Sequence, residues 1–298
     1  LFLLRRKILM IYFMKNISIF GLAALLFTLS GCSSVPVTGR KQMLLVSDQE
    51  VLTLSLQQYD DFMKTAPKST NQAGTALVRK VGQNIANAVE RYLRSNGMEN
   101  MISEYSWEFN LVKSDQVNAF CMPGGKIVVY EGILPITKDE TGLAVVLGHE
   151  VAHAVAKHAN ERMSQQMMSK YGGVALGVAL GGASSAVQNV AGTVYGLGSQ
   201  YGIMLPYSRK QELEADKLGL IFMAMAGYDP SQAEAFWLRM SQNSGGANVA
   251  EFSSTHPSDQ TRIDKIRKEL PEALKYYKSG FGTTTKTKPA QTSEKWKF

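Results

Sequence analysis

The chain has 298 residues, enough for one substantial domain with appendages, and 45% of them are apolar, as in an ordinary globular protein. Its formal net charge of +7 lies at the two ends, in Arg5, Arg6, Lys7 and Lys15 and in four lysines beyond residue 281. Between residues 32 and 280 basic and acidic side chains balance, which leaves no case for nucleic-acid binding.

Residues 1 to 31 read as a secretory signal peptide: basic, then apolar from Ile17 to Leu29, then small. The segment closes on Leu29-Ser30-Gly31-Cys32, which resembles the bacterial lipobox, where cleavage leaves the cysteine as an acylated first residue. Cys32 is therefore the expected lipid anchor, holding the protein in a bacterial cell envelope, at the outer membrane facing the periplasm. An uncleaved membrane anchor is the other reading, but the apolar run is shorter than the ~20 residues a span needs. With Cys32 acylated, Cys121 has no disulfide partner and is expected as a free, buried thiol.

Residues 32 to 46, with Pro36 and Gly39, read as a tether. Ser47 with Glu50 has capping-box spacing and predicts a helix to about Lys64, stopped by Pro67. A second helix is predicted from Gln72 to Leu93, ending at Asn96-Gly97. Two strands follow, one over Tyr105 to Leu111 and one over Lys126 to Leu134. Between them, Asn118-Ala119-Phe120-Cys121-Met122-Pro123-Gly124-Gly125 should turn the chain back as a hairpin. A strand there, Asn118, Ala119 and Phe120 included, can bind an extended peptide by backbone pairing.

His149-Glu150-Val151-Ala152-His153 follows, inside a helix predicted from Lys138 to about Met163 and opened by Thr137 with Glu140. Residues four apart share a helix face, so both imidazoles can reach one ion while Glu150 stands beside it. That is a zinc site in outline, and a catalytic one takes three protein ligands and leaves a fourth position for water. His158 falls on the opposite face of a continuous helix and is not expected as a ligand.

From Tyr171 to Ser208 no residue is charged and Gly, Ala and Val dominate, which suggests small-residue helices or a lid over the cleft, with a membrane span as the other reading. Ser208 and Gln211 open a further helix through Met225 that ends at Gly227. On it Glu212 and Asp216 share a face: Glu212 can supply the third zinc ligand, and Asp216 can bind the outer nitrogen of a ligand histidine. Glu214 points elsewhere. Such acidic pairs are also common on solvated faces. Asp229-Pro230 starts another helix, Ser254-Thr255-His256-Pro257 precedes a charged helix from Ser258 to Leu270, and residues 281 to 298 look disordered.

Four elements in this order resemble peptidase family M48, in its small lipoprotein or periplasmic branch, related to the CaaX prenyl protease and the heat-shock membrane protease. They are Asn118-Ala119-Phe120 with Pro123-Gly124-Gly125; His149-Glu150 with His153; Ser208-Arg209 with Glu212, Ala215 and Asp216; and His256-Pro257 with Arg262. The resemblance implies an α+β, mostly helical, zincin-like (gluzincin) domain over residues 47 to 280, with a small antiparallel sheet whose edge strand borders the cleft. It implies one Zn²⁺ held by His149, His153 and Glu212, Glu150 as catalytic carboxylate, Asp216 behind the ligands, and His256 either stabilising an oxyanion or blocking the open site.

The expected function is zinc-dependent endopeptidase action on unfolded or misassembled cell-envelope proteins, with an envelope protein as a further partner. The alternatives are a chaperone-like or scaffold lipoprotein without turnover, or an amidase acting on cell-wall peptides.

Overall fold

A computed structural model describes residues 32–171, 208–243, 256 and 260–279. Residues 1–31, the uncharged stretch 172–207 and the C-terminal tail, with the expectations attached to them, lie outside the described residues. Among the described residues no helix is long and apolar enough to cross a membrane.

The supposed tether is folded. β1 (Cys32–Ser34) and β2 (Lys41–Met43) form an antiparallel hairpin that buries Val35. α1 (Asp48–Thr65) is capped by Ser47, whose side chain accepts from the Glu50 N–H, and α2 (Gln72–Ser95) by Asn71. Apolar positions of α2 at Leu77, Val78, Val81, Ile85 and Val89 make one fully buried stripe. A Cβ at Gly82 would stand 2.2 Å from the ring of Phe109, so the missing side chain lets α2 lie directly on the sheet. The short α3 (Glu99–Ile102) follows.

The three-stranded sheet is mixed, a correction to the expected antiparallel one. β3 (Glu108–Val112) runs parallel to β5 (Lys126–Tyr130), β4 (Ala119–Met122) runs antiparallel to β5, and the order is β3-β5-β4. The hairpin therefore lies between β4 and β5, and Gly124 (φ 88) and Gly125 (φ 78) carry its turn in the left-handed region. Both faces are covered, which is why β4 and β5 read as near-continuous apolar runs, while Glu108 and Asn110 keep β3 alternating. Phe109, Leu111, Ala119, Cys121, Ile127 and Val129 face the core under α2, while Phe120, Met122, Val128 and Tyr130 pack on Tyr59 and Phe62 of α1. Cys121 is a free, buried thiol, as expected.

A 3-10 turn (Glu131–Ile133) and the short α4 (Leu134–Thr137) lead into α5 (Glu140–Val155), almost wholly buried. Its cap is Asp139, which accepts from Gly142 N–H; Thr137 instead bonds Leu134 O. The motif helix is shorter than predicted. Lys157, at φ 54, breaks it, and α6 (His158–Tyr171) leaves in a new direction. The Lys157 ammonium fastens that corner to Asp48 and Glu104.

α7 (Arg209–Met225) opens with a complete Ser208–Gln211 capping box and crosses α5 at two glycines. A Cβ on Gly148 would lie 2.8 Å from Gly219 O, and one on Gly219 would lie 2.8 Å from His149 N. α8 (Gln232–Asn243) and α9 (Gln260–Lys278) close the other side, and α9 runs through Pro271 rather than stopping there, with Ile266 and Ala273 buried on either side of it.

Candidate active site

Backbone contact at Gly148 and Gly219 brings Glu212 opposite His149 and His153. Each side chain then presents one donor to a common point: His149, His153, Glu212 and His256 have donor atoms all within 4.8 Å of one another, and all four residues are buried. His149 Nε2 lies 3.1 Å from His153 Nε2, 3.2 Å from His256 Nδ1 and 3.4 Å from Glu212 Oε2. Glu212 Oε1 lies 3.3 Å from His153 Nε2 and 3.0 Å from His256 Nδ1. Donors placed tetrahedrally around an ion with bonds of about 2.0–2.1 Å stand about 3.3 Å apart. Three imidazole nitrogens and one carboxylate, with the distances above at 3.0–3.4 Å, fit Zn²⁺. Without a cation or a proton between them, the facing ring nitrogens would oppose lone pairs.

Charge is arranged to suit. Burial opposes ionisation of Glu212, but His256, Arg262 and His149 hold its carboxyl well below the usual range. Burial likewise opposes charge on Asp216, and Arg262 and His149 keep it lowered. His149 Nδ1 donates to Asp216 Oδ1 at 3.0 Å, which fixes its tautomer and leaves Nε2 free for a metal. Arg262 behind them is buried and stacks on Trp237 at 3.8 Å. The sequence singles out Arg262; its ion pairs to Asp216 and Glu212 come from the structure.

Glu150 stands beside the donors, fully buried, with no hydrogen-bond partner on Oε1 and His256 Nε2 at 3.7 Å from it. Burial raises its pKa, against a lowering by His256 and His149, which moves the carboxyl toward the range of a general base. A backbone hydrogen bond from Cys121 ties Glu150 to β4, so the edge strand borders the cleft as expected. Phe120 itself does not face the cleft: its ring packs edge-on against Phe62 at 5.4 Å, and its backbone is directed at β5, in step with Asn118 two residues earlier, which accepts from Tyr130 N–H. Asn118 and Ala119 are buried at the start of the strand. A cavity of about 280 Å³ opens at the far end of β4, walled by Leu52, Tyr105, Cys121, Gly124, His153 and Ala154.

His158 is outside the donor group, as expected, yet for a different reason. The break at Lys157 swings it back so that its Nδ1 lies 2.9 Å from His153 Nδ1, and its Nε2 lies 3.1 Å from Glu214 Oε2. Sequence reasoning missed this second support because it assumed a continuous helix. Burial would raise the Glu214 pKa, but hydrogen bonds from His158, Thr38 and Arg40 hold it at about 2.

The model of peptidase family M48 matches residues 80–270. The chain is 40% identical over 190 residues to the mitochondrial metalloendopeptidase OMA1 of Schizosaccharomyces pombe, covering 63% of this chain and 53% of that protein. To the mitochondrial metalloendopeptidase OMA1 of Saccharomyces cerevisiae it is 30% identical over 270 residues, covering 85% and 75%. The beta-barrel assembly-enhancing protease of Escherichia coli is 27% identical over 191 residues, covering 59% and 38%. The chain thus spans about half the length of the fission-yeast relative. These relatives overturn the expected placement at a bacterial outer membrane, since the more similar ones are named as mitochondrial proteins and the bacterial one is more distant. With its zinc donor set and its buried glutamate in place, the chain belongs to peptidase family M48.

Proposed function

We propose that the chain is a zinc-dependent endopeptidase that cuts unfolded or misassembled proteins. One observation carries the reading: a buried four-donor group with Glu150 at its side, its Oε1 unpartnered. Zinc in such a site lowers the pKa of water toward neutrality and polarises a carbonyl. Glu150 takes the proton of the attacking water at its free Oε1 and delivers it to the leaving amine. The edge of β4 aligns an extended substrate by backbone pairing, and the cavity beside His153 gives room for one of its side chains. Backbone pairing reads little sequence, which suits unfolded chains.

His256 fills the fourth donor position, and we read the arrangement as a closed resting form that opens when His256 withdraws. The Leu29–Cys32 motif supports acylation of Cys32 and attachment to a membrane through it, which mass spectrometry of the N-terminal peptide would detect.

The deciding experiment compares zinc content and casein cleavage of the full chain with those of Glu150→Gln. About one zinc in both and cleavage by the wild type alone is expected. Two zinc-loaded proteins that both fail to cut, with His256→Ala also inactive, would favour the scaffold reading.

A further inference from the structure

The N-terminal hairpin reaches the metal centre through an unbroken series of contacts. Arg40, next to β2, places Nη1 and Nη2 on Glu161 at 2.7 and 2.8 Å and Nε on Glu214 Oε2 at 2.5 Å. Thr38 donates to the other oxygen, Glu214 Oε1, at 2.6 Å. Glu214 Oε2 lies 3.1 Å from His158 Nε2, and His158 Nδ1 lies 2.9 Å from His153 Nδ1. Gln211 closes the surround by donating to Glu161 Oε2 at 2.8 Å.

One proton arrangement satisfies the whole series once His153 binds metal through Nε2. The His153 proton then sits on Nδ1 and is accepted by His158 Nδ1, 2.9 Å away. His158 accordingly carries its proton on Nε2 and donates it to Glu214, which stays ionised between Arg40, Thr38 and His158. Each tautomer follows from the next group along, back to Arg40.

The turn that presents Thr38 and Arg40 is held against its own preference. Val37 sits at φ 67, an outlier for a β-branched residue, while Gly39 takes φ 65 without strain. Two bonds between the ends lock it, Val35 N–H to Arg40 O and Gly39 N–H to Val35 O, both 2.9 Å. A passive linker would relax from this conformation.

We infer that the hairpin is a working part of the metal centre: Arg40 and Thr38 are positioning residues that, through Glu214 and His158, set the tautomer and ring orientation of His153. The inference rests on the zinc reading of the site and is independent of whether the protein cuts peptides.

The test measures the zinc Kd of the full chain by competition with a chromophoric chelator, and the visible spectrum of the Co²⁺-substituted protein. Loss of such a supporting partner costs about 10–100-fold in metal affinity. Arg40→Ala and His158→Phe should each show a loss in that range with a changed Co²⁺ spectrum, at an unchanged circular dichroism spectrum. His158→Asn, whose side-chain oxygen can take the place of Nδ1 as acceptor, should restore most of the affinity. Arg40→Ala combined with Glu214→Gln should lose no more than Glu214→Gln alone, because both act along one path. Thr38→Val, which removes a single hydrogen bond, serves if Arg40→Ala does not fold, and it too should weaken zinc.

An unchanged Kd in folded Arg40→Ala or Thr38→Val would overturn the inference, as would additive losses in the double variant or failure of His158→Asn to recover what His158→Phe loses. Absence of zinc from the wild type would instead sink the reading of the site itself.

Discussion

Arg262 grips Asp216 through both carboxylate oxygens, Nη2 to Oδ1 at 2.5 Å and Nε to Oδ2 at 2.8 Å, while its Nη1 lies 3.0 Å from Glu212 Oε2. One guanidinium therefore bridges the carboxylate behind the metal donors and the carboxylate among them. Arg262→Ala removes the buried cation that these two carboxylates share, and removing one partner of such a buried pair costs about 3–5 kcal/mol. Urea unfolding should show that loss. Arg262→Lys should recover only part of it, since an ammonium cannot make the two-pronged contact.

Where α5 and α7 cross, no side chain fits. Gly219→Ala puts a methyl group 2.8 Å from His149 N, against backbone that cannot swing aside. Overpacking of this kind costs about 1–3 kcal/mol. Because Glu212 sits on the displaced helix, zinc affinity should fall with stability. A Gly219→Ala protein with wild-type Tm and wild-type zinc Kd would show that the helices have room to part.

His256→Ala should raise the rate of casein cleavage while keeping zinc, since His149, His153 and Glu212 remain as donors. A fall in kcat with zinc retained would instead assign His256 to the reaction itself, its Nε2 lying 3.7 Å from Glu150.

The metal-free protein should be pH-sensitive in one direction. Burial disfavours charge on His149, but Glu212 and Asp216 beside it push its pKa up from 6.5 to about 9. A raised histidine contributes stability that is complete below its unfolded value and fades as pH climbs through its folded one. Thermal unfolding in the presence of a chelator should therefore show Tm falling between pH 6.5 and about 9. The zinc-loaded protein, in which His149 is already neutral, should lack that decline, and zinc uptake near pH 7.5 should release protons to the buffer. A chelated protein whose Tm is flat over that window would contradict the assignment.

Much of the site was legible before any fold was known. The four-residue spacing of His149 and His153 and of Glu212 and Asp216 needs only helical periodicity to place each pair on one face. The capping residues Ser47 and Ser208 marked two helix starts correctly because a cap is a local hydrogen bond. Cap spacing misled at Thr137, where Asp139 two residues on does the capping, and the helix expected to end at Leu270 runs on through Pro271, with Ile266 and Ala273 buried on either side.

What the chain by itself determined was therefore the local chemistry: which side chains share a helix face, and which donors a zinc ion would find there. The tertiary structure decided everything that joins segments far apart. Strand direction is one case, since alternation along β3 does not say whether β5 runs beside it parallel or antiparallel. The break at Lys157 is another, because an alanine-rich run gives no local sign of it, and the contacts that hold it, to Asp48 and Glu104, come from distant segments. Arg40 is the clearest, standing 121 and 174 residues from the carboxylates it binds. No periodicity spans such distances; only burial of all these charges in one place, where each must find a partner, brings them together.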